Sequence, residues 1–202
     1  MLSIKAVIFD LGGVLVRTED RMPRTKLAER FGLTYEQIDK LVFNSETATR
    51  AAMGEIDVHE HWKTICSELN APVEEAQAVA QAFWGGDRLD HTLVDFIRSL
   101  RSRWKTALLS NHWSHLRAEL QERWEILDAF DEVIISAEVG LAKPGKEIFE
   151  LVVQRLGVEP GEAVFVDDFR ENIEGARAAG LEAILFKNTE QTIRDLQTYL
   201  KL

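Results

Sequence analysis

The 202-residue chain contains one cysteine, Cys66, and no long apolar run. A single cysteine cannot form an intramolecular disulfide, which fits a protein of the reducing cytoplasm. A membrane-spanning helix needs about 20 consecutive apolar residues, and no stretch approaches that length. The first residues lead almost directly into an apolar strand pattern, without the segments of a secretory leader. We therefore expect a cytoplasmic protein that has no membrane partner.

Basic residues are fewer than acidic ones. The chain has 24 lysines and arginines and 34 acidic residues, which give a net charge of −10. This balance disfavours nucleic acid and anionic membranes as partners. The chain is 46% hydrophobic and 29% charged, which is ordinary for a globular protein that buries a core. We find no repeat and no low-complexity segment, and no pattern that indicates an oligomeric state.

Short apolar runs recur along the chain and predict strands at 4–10, 106–110, 132–136, 163–167 and 182–186. Helical periodicity fills the spaces between the later runs. One such stripe comprises Leu89, Leu93, Phe96, Ile97 and Leu100. Apolar strands separated by helices are typical of a parallel sheet covered on both faces. The sequence therefore predicts an α/β fold with a Rossmann-like, five-stranded parallel sheet.

The alternation breaks between Val16 and about Gly86, where we predict no strand and roughly four helices. The clearest of these helices has an apolar face, and Asp57 and Glu60 form the sequence pattern of a capping box at its start. That face comprises Val58, Trp62, Ile65, Cys66 and Leu69.

About seventy helical residues are too many for an ordinary connection. We predict a core made of residues 1–16 and 87–202, with residues 17–86 inserted as a helical subdomain. The insert would lie over the C-terminal edge of the sheet, where open α/β sheets bind their ligands.

Polar side chains follow several predicted strands at the same edge of the sheet: Asp10, Ser110, Asn111, Lys143, Asp167 and Asp168. Three carboxylates that converge repel one another and require a cation. Oxygen ligands without clustered histidine or cysteine favour Mg²⁺. A lysine and a small hydroxyl beside that metal form a place for phosphate oxygens. Gly12 and Gly13 let the chain bend close to the ligand.

Four short segments then resemble, in order, the motifs of a known family: "FDLGGVL", "LLSN", "AKPGKEIF" and "FVDDFRENIEGA". Together they are similar to the haloacid dehalogenase superfamily, in its Mg²⁺-dependent phosphatase branch with a helical, C1-type cap. The resemblance covers nearly the whole chain. It implies a hydrolase of phosphate monoesters whose cap selects the substrate and excludes water.

The resemblance also implies roles for the polar side chains. Asp10 would be the nucleophile that becomes an aspartyl-phosphate, and it would also bind Mg²⁺. Asp168 would bind the metal directly, with Asp167 close by. Lys143 would neutralise charge on Asp10 and on the phosphate.

Ser110 and Asn111 would bind the phosphoryl group by the same resemblance. The substrate would be a small phosphorylated metabolite, and we expect a sugar phosphate. Cap residues 54–57 are the predicted specificity contacts.

The sequence departs from the phosphatase pattern at Gly12, where that branch usually has a second aspartate. The backbone carbonyl of Gly12 would still bind Mg²⁺, but the acid that protonates the leaving group is absent. A general acid–base contributes about 10²–10⁴-fold to rate. Glu19, Asp20, His112 or a cap residue would have to replace it.

Three alternatives remain open from the sequence. A binding or regulatory protein on a catalytically weakened hydrolase fold is supported by Gly12. A metal-independent 2-haloacid dehalogenase would use Asp10 on a carbon–halogen bond, but the pair Asp167 and Asp168 disfavours it. A phospho-receiver domain would carry its acid pair on the first strand, which does not fit the motif order.

Overall fold

The structure is a computed structural model that describes residues 3–202. Residues 1 and 2, at the start of the predicted core, lie outside the described residues. Within 3–202 the main sheet has five parallel strands in the order β5-β4-β1-β6-β7. They are β1 (Ala6–Phe9), β4 (Lys105–Ser110), β5 (Glu132–Ile135), β6 (Ala163–Asp167) and β7 (Glu182–Leu185). The predicted α/β fold and its five strands are confirmed.

The central strand β1 is buried along its whole length, as expected for a strand covered on both faces. Val7 and Phe9 pack into one hydrophobic layer, while Ala6 and Ile8 pack into the layer on the opposite face. The first layer includes α6 (His91–Leu100), α7 (Leu116–Glu122) and α11 (Thr189–Leu200), and the second includes α9 (Lys146–Leu156) and α10 (Arg170–Ala178). A one-turn helix, α8 (Ser136–Val139), follows β5.

The inserted segment within residues 3–202 contains five helices rather than the predicted four or so: α1 (Met22–Arg30), α2 (Tyr35–Phe43), α3 (Glu46–Ala52), α4 (Val58–Glu68) and α5 (Ala76–Phe83). They enclose a hydrophobic cluster of their own. In α4 the apolar face is as predicted, with Trp62, Ile65 and Cys66 buried. The Asp57 side chain caps α4 by accepting from the His59 N–H, so the predicted capping box with Glu60 is replaced by a simpler cap.

A short antiparallel ribbon connects the insert to the core. It pairs β2 (Val16–Thr18) with β3 (Asp87–Leu89), two strands that the sequence did not predict. Leu89, which we assigned to a helical stripe, lies in β3, and α6 begins at His91. Three-residue strands are too short to show a hydrophobic period of their own. Residues 3–202 contain no helix whose length and hydrophobicity would let it cross a membrane.

Candidate active site

Two strand ends and one loop bring three carboxylates and one lysine together. Asp10 follows β1, Asp167 ends β6, and Asp168 is the next residue. Lys143 lies in the loop between α8 and α9, and its side chain is buried. Its Nζ is 2.8 Å from Asp10 Oδ1 and 2.7 Å from Asp167 Oδ2. The convergence predicted from the strand ends is therefore present.

The three carboxylates have the spacing of a divalent cation site. One oxygen from each of Asp10, Asp167 and Asp168 lies within 4.8 Å of the others, and no other set of three acidic, histidine or cysteine residues in 3–202 does so. Asp168 Oδ1 is buried and has no hydrogen-bond partner. Clustered carboxylate oxygens suit a hard cation such as Mg²⁺, so the residues present fit this metal.

The charges in the cluster are poorly balanced without a cation. Burial raises the pKa of Asp10 to about 7, with Lys143 opposing the rise and Asp167 adding to it. Burial, together with the charge of Asp167, raises the pKa of Asp168 to about 6. One ammonium faces three carboxylates, which leaves two negative charges uncompensated when all are ionised. A bound divalent cation would supply the missing positive charge.

Asp167 and Asp168 have different surroundings. Besides Lys143, Asp167 accepts from the Phe169 N–H at 2.7 Å and from the Asn172 side chain at 3.1 and 3.0 Å. These donors occupy both Asp167 oxygens and fix the carboxylate. Asp168 Oδ1, by contrast, has no hydrogen-bond partner. Sequence reasoning missed Asn172, although it lies in the first turn of α10 within the fourth motif.

The two glycines after Asp10 are not equivalent. Gly13 has a φ of +75°, and a Cβ built on it would lie 2.1 Å from Asp168 Oδ2. A side chain there would displace the Asp168 carboxylate. Gly12 has no atom within 4 Å of such a Cβ. The local geometry therefore requires a glycine at position 13 but not at position 12.

The Asn111 side chain holds the loop that carries Lys143. Its amide donates to the Lys143 carbonyl at 2.8 Å, and its Oδ1 accepts from the Lys143 N–H at 2.8 Å. The sequence predicts that Asn111 binds phosphate, and in the structure its side chain positions the backbone of Lys143. Ser110, the other predicted phosphate-binding residue, is buried at the end of β4, at the same edge of the sheet.

The insert contacts the same edge of the sheet through α3. Trp113, in the loop after β4, is buried in the hydrophobic cluster of the insert, and its Nε1 donates to the Ala48 carbonyl at 3.3 Å. Ser136 Oγ, just beyond β5, donates to the Ala52 carbonyl at 2.6 Å. Sequence reasoning missed Ser136, although it is the last residue of a predicted strand, as Ser110 is.

A cavity of about 340 Å³ lies between α3 and the two loops that follow β4 and α8, beside Asn111 and Lys143. From the insert its wall includes Phe43, Thr49 and Met53. The predicted specificity segment 54–57 does not line it. Gly54 instead packs so closely on the Ala137 carbonyl that a Cβ would lie 2.2 Å from the oxygen.

None of the three residues suggested as substitutes for the missing acid is well suited to the task. Burial lowers the pKa of His112 to about 4, with His115 adding to the effect, so the ring is neutral at pH 7. The Trp113 N–H donates to His112 Nδ1 at 2.9 Å, which puts the proton of the neutral ring on Nε2, a very weak acid. Glu19 and Asp20 are exposed just beyond β2, and neither lines the cavity.

Comparison with known proteins agrees with this geometry. A profile of haloacid dehalogenase-like hydrolases matches residues 4–180. A sesquiterpene phosphatase of Aspergillus oryzae is 26% identical, covering 96% of this chain and 96% of that protein. A phosphorylated carbohydrates phosphatase of Thermotoga maritima is 28% identical, covering 90% of this chain and 84% of that protein.

Solved structures share the fold. An enzyme of Bacteroides thetaiotaomicron, solved as a complex with magnesium and inorganic phosphate, superposes with a TM-score of 0.76 at 24% identity, covering 92% of this chain and 95% of that chain. Several further relatives are much longer proteins, of which this chain spans 17% to 39%.

Proposed function

Since this chain belongs to the haloacid dehalogenase-like hydrolases, we propose that it is a Mg²⁺-dependent phosphatase that hydrolyses a small phosphorylated metabolite through Asp10. The observation that carries the proposal is the contact of Lys143 with both Asp10 and Asp167, beside the unpartnered oxygen of Asp168. A metal-independent dehalogenase would have no use for three carboxylates at cation spacing. The same contacts disfavour a decayed binding protein, because the charged groups for phosphoryl transfer remain.

In the proposed reaction Asp10 attacks phosphorus while the bond to the departing oxygen breaks, and water then hydrolyses the aspartyl-phosphate. Asp10 Oδ1 already accepts from the Leu11 N–H at 2.7 Å and contacts Lys143, which leaves Oδ2 as the attacking oxygen. Lys143 stabilises negative charge on the transferring group. A divalent cation bound by Asp10, Asp168 and the Gly12 carbonyl would supply further positive charge there.

Helices α1–α5 would act as the cap of this site. The contacts of Trp113 with Ala48 and of Ser136 with Ala52 support this role, because they hold α3 over the strand ends. The Aspergillus and Thermotoga relatives are both phosphatases, which supports a phosphate monoester as the substrate, and the Thermotoga relative supports the expectation of a sugar phosphate. Turnover of a panel of phosphate esters, with Mg²⁺ and with a chelator, tests the proposal.

We expect Mg²⁺ to stabilise the protein more at higher pH. In the unfolded chain Asp10 has its ordinary pKa of 3.8, whereas in the fold burial raises the pKa to about 7. Between pH 3.8 and about 7 the metal-free folded protein therefore keeps a proton on Asp10 that the unfolded chain has lost. The free energy of unfolding falls as pH rises through this range. Mg²⁺ binds the ionised carboxylates, so thermal unfolding will show a larger increase in Tm at about pH 8 than at about pH 5.

Asp168→Asn tests whether the Mg²⁺-induced increase in Tm comes from binding at the carboxylate cluster. It removes the charge from the carboxylate with the free oxygen, so we expect it to lose most of the Mg²⁺-induced increase in Tm. It should also raise the Mg²⁺ concentration needed for half-maximal rate. Asp128→Asn, in an exposed ion pair with Arg98, is the matched control. A pH-independent increase in Tm, or equal behaviour of the two variants, would contradict the assignment.

Lys143→Ala should lower kcat by roughly 10²–10³-fold, the usual cost of removing one donor from a developing negative charge. The matched control is Lys146→Ala, because Lys146 is exposed at the start of α9 and pairs with Glu150 at 2.6 Å. It should retain wild-type turnover. Steady-state kinetics on any hydrolysed ester measures both, and similar losses in the two variants would mean that the wrong lysine has been assigned.

A further inference from the structure

The wall of the cavity beside the catalytic lysine is mostly apolar. Phe43 ends α2, Met53 follows α3, and the indoles of Trp84 and Trp113 pack edge to face with ring centroids 5.9 Å apart. The apolar lining residues are Phe43, Ala48, Ala52, Met53, Trp84, Trp113 and Ala142. These residues come from both the insert and the core, so closure of the insert on the sheet creates an apolar pocket next to the reacting group.

The polar groups in the wall are few, and most are already committed. The Asn111 amide is hydrogen-bonded to the backbone of Lys143, and the Lys143 ammonium contacts two carboxylates. His112 Nδ1 accepts from a backbone N–H. Among the described residues that line the cavity there is no carboxylate and no second cation. The Thr49 hydroxyl donates to the Ser45 carbonyl at 3.5 Å and can still accept a hydrogen bond. His112 Nε2 and the Trp84 indole N–H are the other groups available to a ligand.

A polyhydroxylated leaving group would therefore be poorly matched to this pocket. Each sugar hydroxyl that enters loses hydrogen bonds to water, and burying it without a partner costs free energy. An apolar group gains by leaving water for the same wall. Three available polar groups, one of them already a hydrogen-bond donor to the backbone, are too few for the several hydroxyls of a sugar ring.

Resting on the proposed phosphatase activity, we propose that the physiological substrate is a phosphate monoester of an apolar alcohol, whose hydrocarbon part occupies this cavity. Lys143 and the cation that the carboxylate cluster would bind hold the phosphoryl group, and the aromatic and aliphatic wall selects the alcohol. Thr49 is the principal polar group of the insert within reach of the leaving group. This proposal differs from the sugar phosphate that the sequence led us to expect, and the test below compares the two substrate classes.

The test uses two phosphate esters with the same ring size and the same kind of leaving group. Cyclohexylmethyl phosphate and glucose 6-phosphate both release a primary alcohol from a carbon attached to a six-membered ring. We expect kcat/KM to be at least roughly tenfold higher for the cyclohexylmethyl ester, a modest preference for a hydrophobic pocket. Acetyl phosphate, an acyl phosphate that is neither large and apolar nor a sugar, serves as the reference substrate.

Three variants assign the preference to the wall. Met53→Gln, a polar change of similar volume, should lower the ratio of kcat/KM for the cyclohexylmethyl ester to kcat/KM for glucose 6-phosphate by roughly tenfold. Thr49→Val should raise this ratio. Val73→Gln changes an exposed apolar residue outside the cavity and should leave the ratio unchanged. If Met53→Gln does not fold, Thr49→Val carries the test by itself.

The outcomes separate the two proposals. Preference for glucose 6-phosphate, or a ratio that neither wall variant moves, overturns the apolar substrate class, while turnover of acetyl phosphate leaves the phosphatase proposal standing. If neither of the two esters nor acetyl phosphate is hydrolysed in the presence of Mg²⁺, the phosphatase proposal itself fails.

Discussion

Asp10→Asn is expected to lower phosphatase turnover by more than about 10³-fold while the protein stays folded. The substitution keeps the shape of the side chain but removes the nucleophilic charge and a metal ligand. Burial already raises the pKa of Asp10 to about 7, so the fold accommodates an uncharged group at this position. Without Mg²⁺ the Tm of the variant should equal or exceed that of the wild type.

The combination of lost activity and kept stability is what identifies a catalytic rather than a structural aspartate. Asp128→Asn again serves as the control, and it should retain full turnover. Turnover that persists in Asp10→Asn, measured on protein free of wild-type contamination, would remove Asp10 from the mechanism. Activity that a chelator does not diminish would remove the metal.

Gly12→Asp is expected to accelerate hydrolysis of esters with poor leaving groups by at most about 10²–10⁴-fold. The wild type lacks the acid that would protonate the departing oxygen, and His112, Glu19 and Asp20 are poorly placed or poorly suited to replace it. A plot of log(kcat/KM) against the pKa of the leaving group should therefore have a steep negative slope for the wild type. The slope should flatten in the variant.

The neighbouring glycine provides the structural control. A Cβ at Gly12 meets no atom within 4 Å, so the variant should fold and bind Mg²⁺ normally. Gly13→Asp would force the new side chain against Asp168 at a φ of +75°, and it should lose Mg²⁺ binding. A wild-type slope near zero, with chemistry shown to limit the rate, would mean that another residue already donates the proton.

Most of the sheet could be predicted because its strands are covered on both faces. Such strands read as continuous apolar runs, and β1 with Ala6 to Phe9 fully buried is the clearest case. The same reasoning placed Asp10, Lys143 and the acid pair at one edge, since parallel strands end together. The profile of haloacid dehalogenase-like hydrolases confirms the family that the motif order predicted.

What the sequence did not reveal depends on contacts between distant segments. The ribbon of β2 and β3 forms by pairing residues about seventy positions apart, and neither strand has a pattern of its own. The Asn111 amide turns to the Lys143 backbone, which only the folded loop offers. The cavity wall likewise depends on how α3 sits on the core. Its apolar character appears only once distant residues such as Met53 and Trp113 line the same cavity.

Two residues could have been found by the rule that located the others. Ser136 is the last residue of a predicted strand, as Ser110 and Asp167 are, but it lacked a recognisable motif. Asn172 lies five residues after Asp167, close enough for the first turn of α10 to bring it back to the carboxylate. Polar residues at strand ends, and in the first turn of the helix that follows, are therefore candidate site residues even where no known motif is present.

The central claim is that Asp10 accepts the phosphoryl group, and trapping that intermediate tests it most directly. Wild-type protein is mixed with Mg²⁺ and a hydrolysed ester, quenched in acid during turnover, digested, and analysed by mass spectrometry for an added phosphoryl group. The account predicts the modification on the peptide that contains Asp10, and its absence from Asp10→Asn treated in the same way. Turnover accompanied by a phosphoryl group on a different residue would contradict it.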